Sequence, residues 1–205
     1  MMMEGHEAEM EAPPMDKPAP GELGLIQQLV NTSYGQGQRA HRVLTTPAEL
    51  RSWLVERGLL AAEAPVTEGD LRRVLALREG LRALLLAHSR GELPTAEALA
   101  ALNQVAAHAP LTARFRQDGG VDLVPDLDGV DGALARLVGV VLRAILDGSW
   151  PRLKACAHTP CARAFYDTSR NGSGKWCAMA KCGNRLNARA YRRRQRTTPT
   201  PRATC

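Results

Sequence analysis

The chain has 205 residues, is 44% apolar but only 4% aromatic, and carries 27 Lys and Arg against 21 Asp and Glu. That apolar share is ordinary for a folded domain and excludes wholesale disorder, and an apolar load carried by Leu, Ala and Val argues for helices over a β-sandwich. The net charge of +6 conceals a division: residues 151–205 hold 13 basic residues against one acid, Asp167, whereas residues 1–150 hold 14 against 20 acids. A local basic field of this kind attracts polyanions.

Residues 1–21 are Met, Glu, Pro and Gly with almost no large apolar side chain. They bury too little to offset ordering entropy and read as a disordered tail. The opening lacks the apolar stretch of a signal peptide. Arg136 and Arg143 interrupt the most apolar run, "LARLVGVVLRAIL", so no membrane span or membrane partner is expected, and the expected compartment is the cytoplasm.

From Glu22, Leu25, Ile26, Leu29 and Val30 recur at helical spacing, with Gly35 and Gly37 as stops. "TPAELRSWLVERG" predicts a second helix, with Thr46 as N-cap, Pro47 at the first position, Glu49 closing a capping box and Gly58 ending it. Thr67 and Asp70 open a long third helix whose apolar face carries Leu71, Val74, Leu75, Leu81 and Leu85, and Gly91 ends it. Arg78 falls inside that stripe. Its stem is expected to pack while its head reaches water or pairs with Glu79 or Glu49; the sharper alternative is an anion or ligand site.

"TAEALAALNQVAAHAPL" predicts a fourth helix, and the alternation around Asp118-Gly119-Gly120 a β-hairpin. "DGALARLVGVVLRAILDGSW" reads as a largely buried closing helix with Leu134, Leu137, Val138, Val141, Leu142 and Ile145 on a broad apolar face. Gly148 marks a boundary.

Beyond it lie Cys156-x4-Cys161 and Cys177-x4-Cys182, separated by fifteen residues. In a reducing compartment such spacing points to metal before disulfide. Four thiolates in two close pairs suit tetrahedral Zn²⁺, and a closed shell of four protein ligands makes the ion structural. A module of this size buries too little to stand alone, so metal binding supplies folding free energy. His158, between the first two cysteines, is a rival ligand but reads better as a turn residue or a donor to a thiolate. Cys205 is outside any pair.

Between the cysteine pairs, Phe165 and Tyr166 begin an extended run, Asn171 to Gly174 turn, and Lys175-Trp176-Cys177 return, with Phe165 and Trp176 as a small core. The order of knuckle, hairpin, cysteine pair and helix is similar to treble-clef zinc folds. The helix is expected from about Asn184, capped by that residue, to Arg196. On it Arg185, Arg189, Arg192, Arg193 and Arg196 fall at i, i+4, i+7, i+8 and i+11, one face at helical period. Five guanidiniums in one stripe suit tracking of phosphates, with Lys175, Lys181 and Arg170 as accessory charges. This is more base than neutralising a tetrathiolate centre requires, and DNA is the expected partner. RNA or the ribosome is the alternative, and a protein-interaction module is a third reading. No Ser/His/Asp, HExxH or glycine-rich phosphate motif appears, and His41, His88 and His108 are scattered, so no enzyme is expected.

"CAHTPCARAFYDTSRNGSGKWCAMAKCGNRLNARAYRRR" resembles the CGNR-type zinc finger, named for the run Cys182-Gly183-Asn184-Arg185. Upstream, "LVNTSYG", "LTTPAELRSWLVERGLL" and "LRRVLALREGLRALL" are similar to the ABATE domain that commonly precedes this finger in bacterial proteins. The resemblance implies a stress-responsive transcription regulator with the finger as DNA-binding module. It also suggests a ligand pocket at Asn31, Thr32 and Arg78. The family's usual opening, "L-D-F-V-N-T", is replaced by "QQLVNT", so an acid expected at Gln27 or nearby, a partner for Arg78, is absent.

The expected architecture is therefore mainly α. A tail (1–21) precedes a helical domain with one hairpin (22–148), then come a treble-clef-like zinc module (149–197) and a flexible tail (198–205). The helical domain serves as sensor or homodimerisation unit.

Overall fold

In the computed structural model, which describes residues 17–36 and 40–184, two capping boxes set the helical frame. Thr46 accepts from the Glu49 N–H while Glu49 reaches back to the Thr46 N–H at 2.9 Å, and Pro47 opens α2 (Pro47–Glu56). Thr67 and Asp70 repeat the device at α3 (Glu68–Arg90), which Gly91 closes with φ of 68°. Each box satisfies amides that a helix start leaves unpaired. At 23 residues and ~1.5 Å per residue, α3 is a spine of roughly 34 Å.

On it pack α1 (Leu23–Asn31), α2 and α4 (Ala96–Ala106), and α5 (Gly129–Leu146) packs on α1 and α4. Ile26, Leu29, Leu50, Leu54, Leu81, Leu85, Leu134 and Leu137 form the fully buried centre. α4 lies tight on α3 because Gly80 has no side chain: a Cβ there would sit 2.7 Å from Leu102 Cγ.

Short antiparallel pairs complete the fold. β1 (Ser33–Tyr34) pairs with β2 (His41–Arg42), β3 (Leu111–Phe115) with β4 (Val121–Pro125), and β5 (Leu153–Ala155) with β6 (Ala164–Tyr166). The β3–β4 turn falls at Asp118 to Gly120, with Gly119 at φ of 81°, where the sequence places it.

Three details depart from the sequence reading. First, α1 stops at Asn31 because the chain enters β1, before Gly35; Gly37 lies outside the described residues. Second, the closing helix is rotated relative to its expected face. It buries Val130, Ala133, Leu134, Leu137, Val140 and Ala144, and leaves Leu142 and Ile145 at 38% and 52% exposure. The cause is its glycines: Leu111 packs over Gly139, and the Leu127 carbonyl lies where a Gly132 Cβ would stand. Third, the chain is built into the fold from Lys17. Its carbonyl accepts from Tyr166 N–H (3.1 Å) and from Gln27 Nε2 (2.8 Å), while Ala19 N–H donates to Gln27 Oε1 at 2.6 Å.

Gly148 ends α5 at φ of 77°, yet no gap follows. Trp150, Leu153, Ala155 and Ala164 belong to the same apolar core as α1 and α3. The strands that flank the first two cysteines are thus part of the helical domain's own interior.

Candidate metal centre

Cys156 directly follows β5, and its N–H donates to the Arg163 carbonyl at 2.9 Å, extending the β5–β6 ladder. Between them the chain makes a tight knuckle. Cys161 and Ala162 N–H groups both donate to the His158 carbonyl, at 2.7 and 3.2 Å, and Ala162 takes a left-handed φ of 50°. The N–H groups of His158 and Arg163 are directed at the sulfurs of Cys156 and Cys161. Such amides favour thiolate over thiol.

The second pair arrives on a π-helical turn, Met179–Gly183, which opens at the extended residue Ala178. Cys177 precedes the turn and Cys182 lies on it, its N–H donating to the Ala178 carbonyl at 2.9 Å. Gly183 is required here, because a Cβ would meet Met179 Sδ at 2.7 Å and the Trp176 ring at 3.1 Å.

The four sulfurs lie within 4.8 Å of one another, with Cys161–Cys177 at 3.7 Å and Cys177–Cys182 at 3.8 Å. A tetrahedron with Zn–S bonds of ~2.3 Å has edges of about 3.8 Å, so the donor set fits zinc in both chemistry and size. Left to themselves, sulfurs this close cannot all ionise. Hydrogen bonds from its neighbours pull Cys161 down, while hydrogen bonding with Cys156 and Cys161 pushes Cys177 up, and burial with thiolate repulsion pushes Cys182 up to about 12. A divalent cation removes that conflict. The cluster of Cys156, Cys161, Cys177 and Cys182 fits one structural zinc ion.

His158 is not among the ligands. It is buried, and its Nδ1 has no hydrogen-bond partner among the described residues. Asn184 is not an N-cap: it has helical φ and ψ of −61° and −36°, one residue after the turn, and its N–H bonds to the Met179 carbonyl. Helical geometry is therefore present earlier than expected, from Met179 on the metal-bearing turn to Asn184; the rest of the expected helix lies outside the described residues.

The expected hairpin within the finger is also replaced. β6 pairs with β5, upstream of the knuckle, and not with Lys175-Trp176-Cys177. The return strand makes a single bridge, the Ala157 N–H to the Lys175 carbonyl at 3.0 Å. The reason is a buried ion pair. Lys154 Nζ donates to Asp167 Oδ2 at 2.9 Å and to the Gly172 and Gly174 carbonyls, and Asp167 accepts from the Ser169 and Gly174 N–H groups. These bonds curl the segment around Lys154. Burial works against the Asp167 charge, but Lys154 and the Ser169 and Gly174 donors hold its carboxyl well below the usual carboxylate range.

Polar side chains from the helical domain bolt the knuckle in place. Asn31 grips Ala164 on both sides, its Nδ2 donating to the carbonyl at 3.0 Å and its Oδ1 accepting from the N–H at 2.7 Å. Arg82 spans to the Ala162 carbonyl at 3.0 Å and to the carbonyls of Val30 and Ser33. Ser89 donates to the Ala155 carbonyl, and His88 Nδ1 bonds the Leu153 carbonyl at 2.9 Å.

Thr32 donates to the Leu29 carbonyl at 2.7 Å, and Arg78 is bound to Glu79 at 2.8 Å and Thr32 at 3.3 Å. Asn31, Thr32 and Arg78 thus lie together but hold protein groups. Gln27 serves Lys17, Ala19 and Ala164, and Gln28 accepts from Arg57 at 2.9 Å, so the replaced acid position faces Arg57 rather than Arg78. His41 stacks on Tyr34 and His108 bonds the Gln104 carbonyl.

Lys175, Lys181 and Arg170 are exposed on the finger. Arg185, Arg189, Arg192, Arg193, Arg196 and Cys205 lie outside the described residues. Sequence reasoning missed Arg82, Ser89, Gln27 and Lys154. The Lys154 pairing had a signal, since Asp167 is the single acid after residue 150.

A helical domain whose core runs into a four-cysteine zinc knuckle defines a zinc-binding protein of two intergrown parts. The chain belongs to the ABATE family, described as "Putative stress-induced transcription regulator", which matches residues 24–169, and the CGNR zinc finger matches residues 152–195. The two matches overlap at residues 152–169, the stretch with β5, the knuckle and β6. These families are of regulatory and zinc-finger type. No curated protein matches the chain. Among the described residues, no helix is long and apolar enough to cross a membrane.

Proposed function

We propose that this is a zinc-dependent, DNA-binding transcription regulator of the cytoplasm, in which the metal centre presents the basic C-terminal segment. The observation that supports it is continuity: Cys182 lies on the turn that runs into helical Asn184, and Arg185 is the next residue. Arg185, Arg189, Arg192, Arg193 and Arg196 then follow at the spacing of one helix face, with Lys175, Lys181 and Arg170 as further cations on the finger. Zinc is structural in this reading, and the helical domain acts as sensor or dimerisation unit.

The test is salt dependence. Neutralising five phosphates gives a log–log slope of affinity against salt near −4.5, at about −0.9 per contact on duplex DNA. Anisotropy with labelled duplexes, with and without chelator, measures it; a flat titration, or binding indifferent to zinc removal, refutes the proposal. Structured RNA at equal salt discriminates the alternative, since a basic stripe alone does not select duplex type.

A further inference from the structure

Next to the metal turn, a hollow of about 400 Å³ opens between the N-terminal segment and the finger. Its apolar wall is Trp176, half-buried, with Met179, 55% exposed. Lys17 and Lys175 stand on its rim, and the exposed residues Thr168 and Ser173 supply hydroxyls. Lys17 is fixed there: its Nζ donates to the Trp176 carbonyl at 3.2 Å and lies 5.1 Å from the centre of the Phe165 ring. Asp167 also lines the hollow, but its side chain is only 2% exposed and engaged by Lys154, Ser169 and Gly174. That acid therefore does little to repel an anion.

A flat apolar wall, two cations and hydroxyl groups at one place match the parts of a nucleotide: base, phosphate and sugar. A base within a duplex is stacked and does not offer its face to such a wall, whereas an unpaired base stacks on aromatic side chains. We infer that this hollow receives one unpaired nucleotide of a nucleic acid, its base against Trp176 and Met179 and its phosphate between Lys17 and Lys175. The inference rests on the nucleic-acid reading above and deepens it. It also makes Lys17, from the far end of the sequence, part of the binding surface.

Fluorescence provides the test, because Trp53 and Trp150 are only 5% and 7% exposed and Trp176 is the accessible indole. The zinc-loaded full chain is titrated with a thymidine 15-mer and, separately, with a duplex of equal length, reading anisotropy and tryptophan emission together. The single strand is expected to quench emission and protect it from acrylamide. Thr168→Glu, which fills the hollow and shuts out the base, should weaken single-strand binding roughly five- to hundredfold, the range of one lost base stack, and change duplex binding much less. Lys17→Ala, which removes a phosphate contact, should weaken single-strand binding as well. Thr168 is exposed, so its replacement leaves the fold intact. If the single strand binds with unchanged emission, or if Thr168→Glu binds it like the parent, the hollow is refuted while the nucleic-acid reading stands. If neither strand nor duplex binds, the nucleic-acid reading falls and this inference with it.

Discussion

The two halves of the molecule are held together by different physics. The helical domain is ordinary: among the described residues it has five helices around a centre of Leu, Ile and Val at or near zero exposure. Of these, α2, α3 and α4 have side-chain caps at their starts, and α2, α3 and α5 are followed by left-handed glycines. The cysteine segment has almost no apolar filling of its own. Phe165 is its large buried side chain, and order comes from four sulfurs, the Lys154–Asp167 pair and side chains lent by α1 and α3. A small module that cannot bury enough surface replaces burial with ligation and buried polar bonds. Because β5 and β6 lie in the helical core, the two kinds of order are not independent.

Removing zinc breaks this comparison most severely. Structural zinc in finger peptides is worth about 10 to 16 kcal/mol at neutral pH; here part of that loss is borne by the helical domain. Chelation, or Cys156→Ser, is expected to retain helical circular dichroism at 25 °C but to lower a single melting transition by at least about 10 °C. The conversion is ~2–4 °C per kcal/mol in a chain of this size. Two separate transitions, with the helical one unmoved by chelator, would show that the shared core does not couple the halves.

Asp167→Asn comes next. Both partners are almost fully buried, at 6% and 2% side-chain exposure, and removing one leaves the other charge without its mate, a loss of about 3–5 kcal/mol. The pH dependence has a definite sign. The native carboxyl lies below its usual value, so its contribution is complete above about pH 4, the unfolded value, and fades as acid titrates it towards the native value. Urea unfolding should therefore separate parent and variant most at neutral pH and less below pH ~4. A gap that widens in acid would contradict the assignment.

How legible this was in the sequence follows from the range of each interaction. Both capping boxes, the Gly91 stop, the β3–β4 turn and the four ligands are encoded by spacings of a few residues, and the sequence shows them. The Lys154 partner, the grip of Asn31 on Ala164 and the reach of Arg82 to Ala162 join residues 13, 133 and 80 apart. No local pattern predicts such pairs. Asn31 is instructive: the family resemblance drew attention to it for a ligand, and the structure puts its amide on the backbone beside the zinc knuckle. The rotation of α5 was hidden for another reason, since its apolar residues cover more than one face and only the contacts at Gly132 and Gly139 choose among them.

Asn31→Ala sharpens the comparison at the seam. It deprives the buried Ala164 N–H of its partner and leaves the carbonyl with Gln27 Nε2 at 3.3 Å alone, a loss of roughly 1–3 kcal/mol. Zinc content, measured by elemental analysis, should stay at one per chain, because no sulfur is touched. Loss of metal along with stability would mean that the knuckle cannot hold its shape without the helical domain.

The smallest effect has the opposite sign. Ala162 is the only non-glycine residue with positive φ among those described, at 50°, and it follows Cys161, where the chain must turn back over the metal. A left-handed residue with a Cβ costs about 1–2 kcal/mol, whereas glycine is unstrained there but more flexible when unfolded, a counter-effect of roughly 0.5–1 kcal/mol. Ala162→Gly should therefore stabilise by about 0.5 kcal/mol, a rise of ~1–2 °C in the melting temperature. The carbonyl held by Arg82 Nη1 at 3.0 Å is backbone and stays in place. A fall in melting temperature would show that the methyl group packs favourably in the knuckle, and that burial matters even in the half of the molecule ruled by its metal.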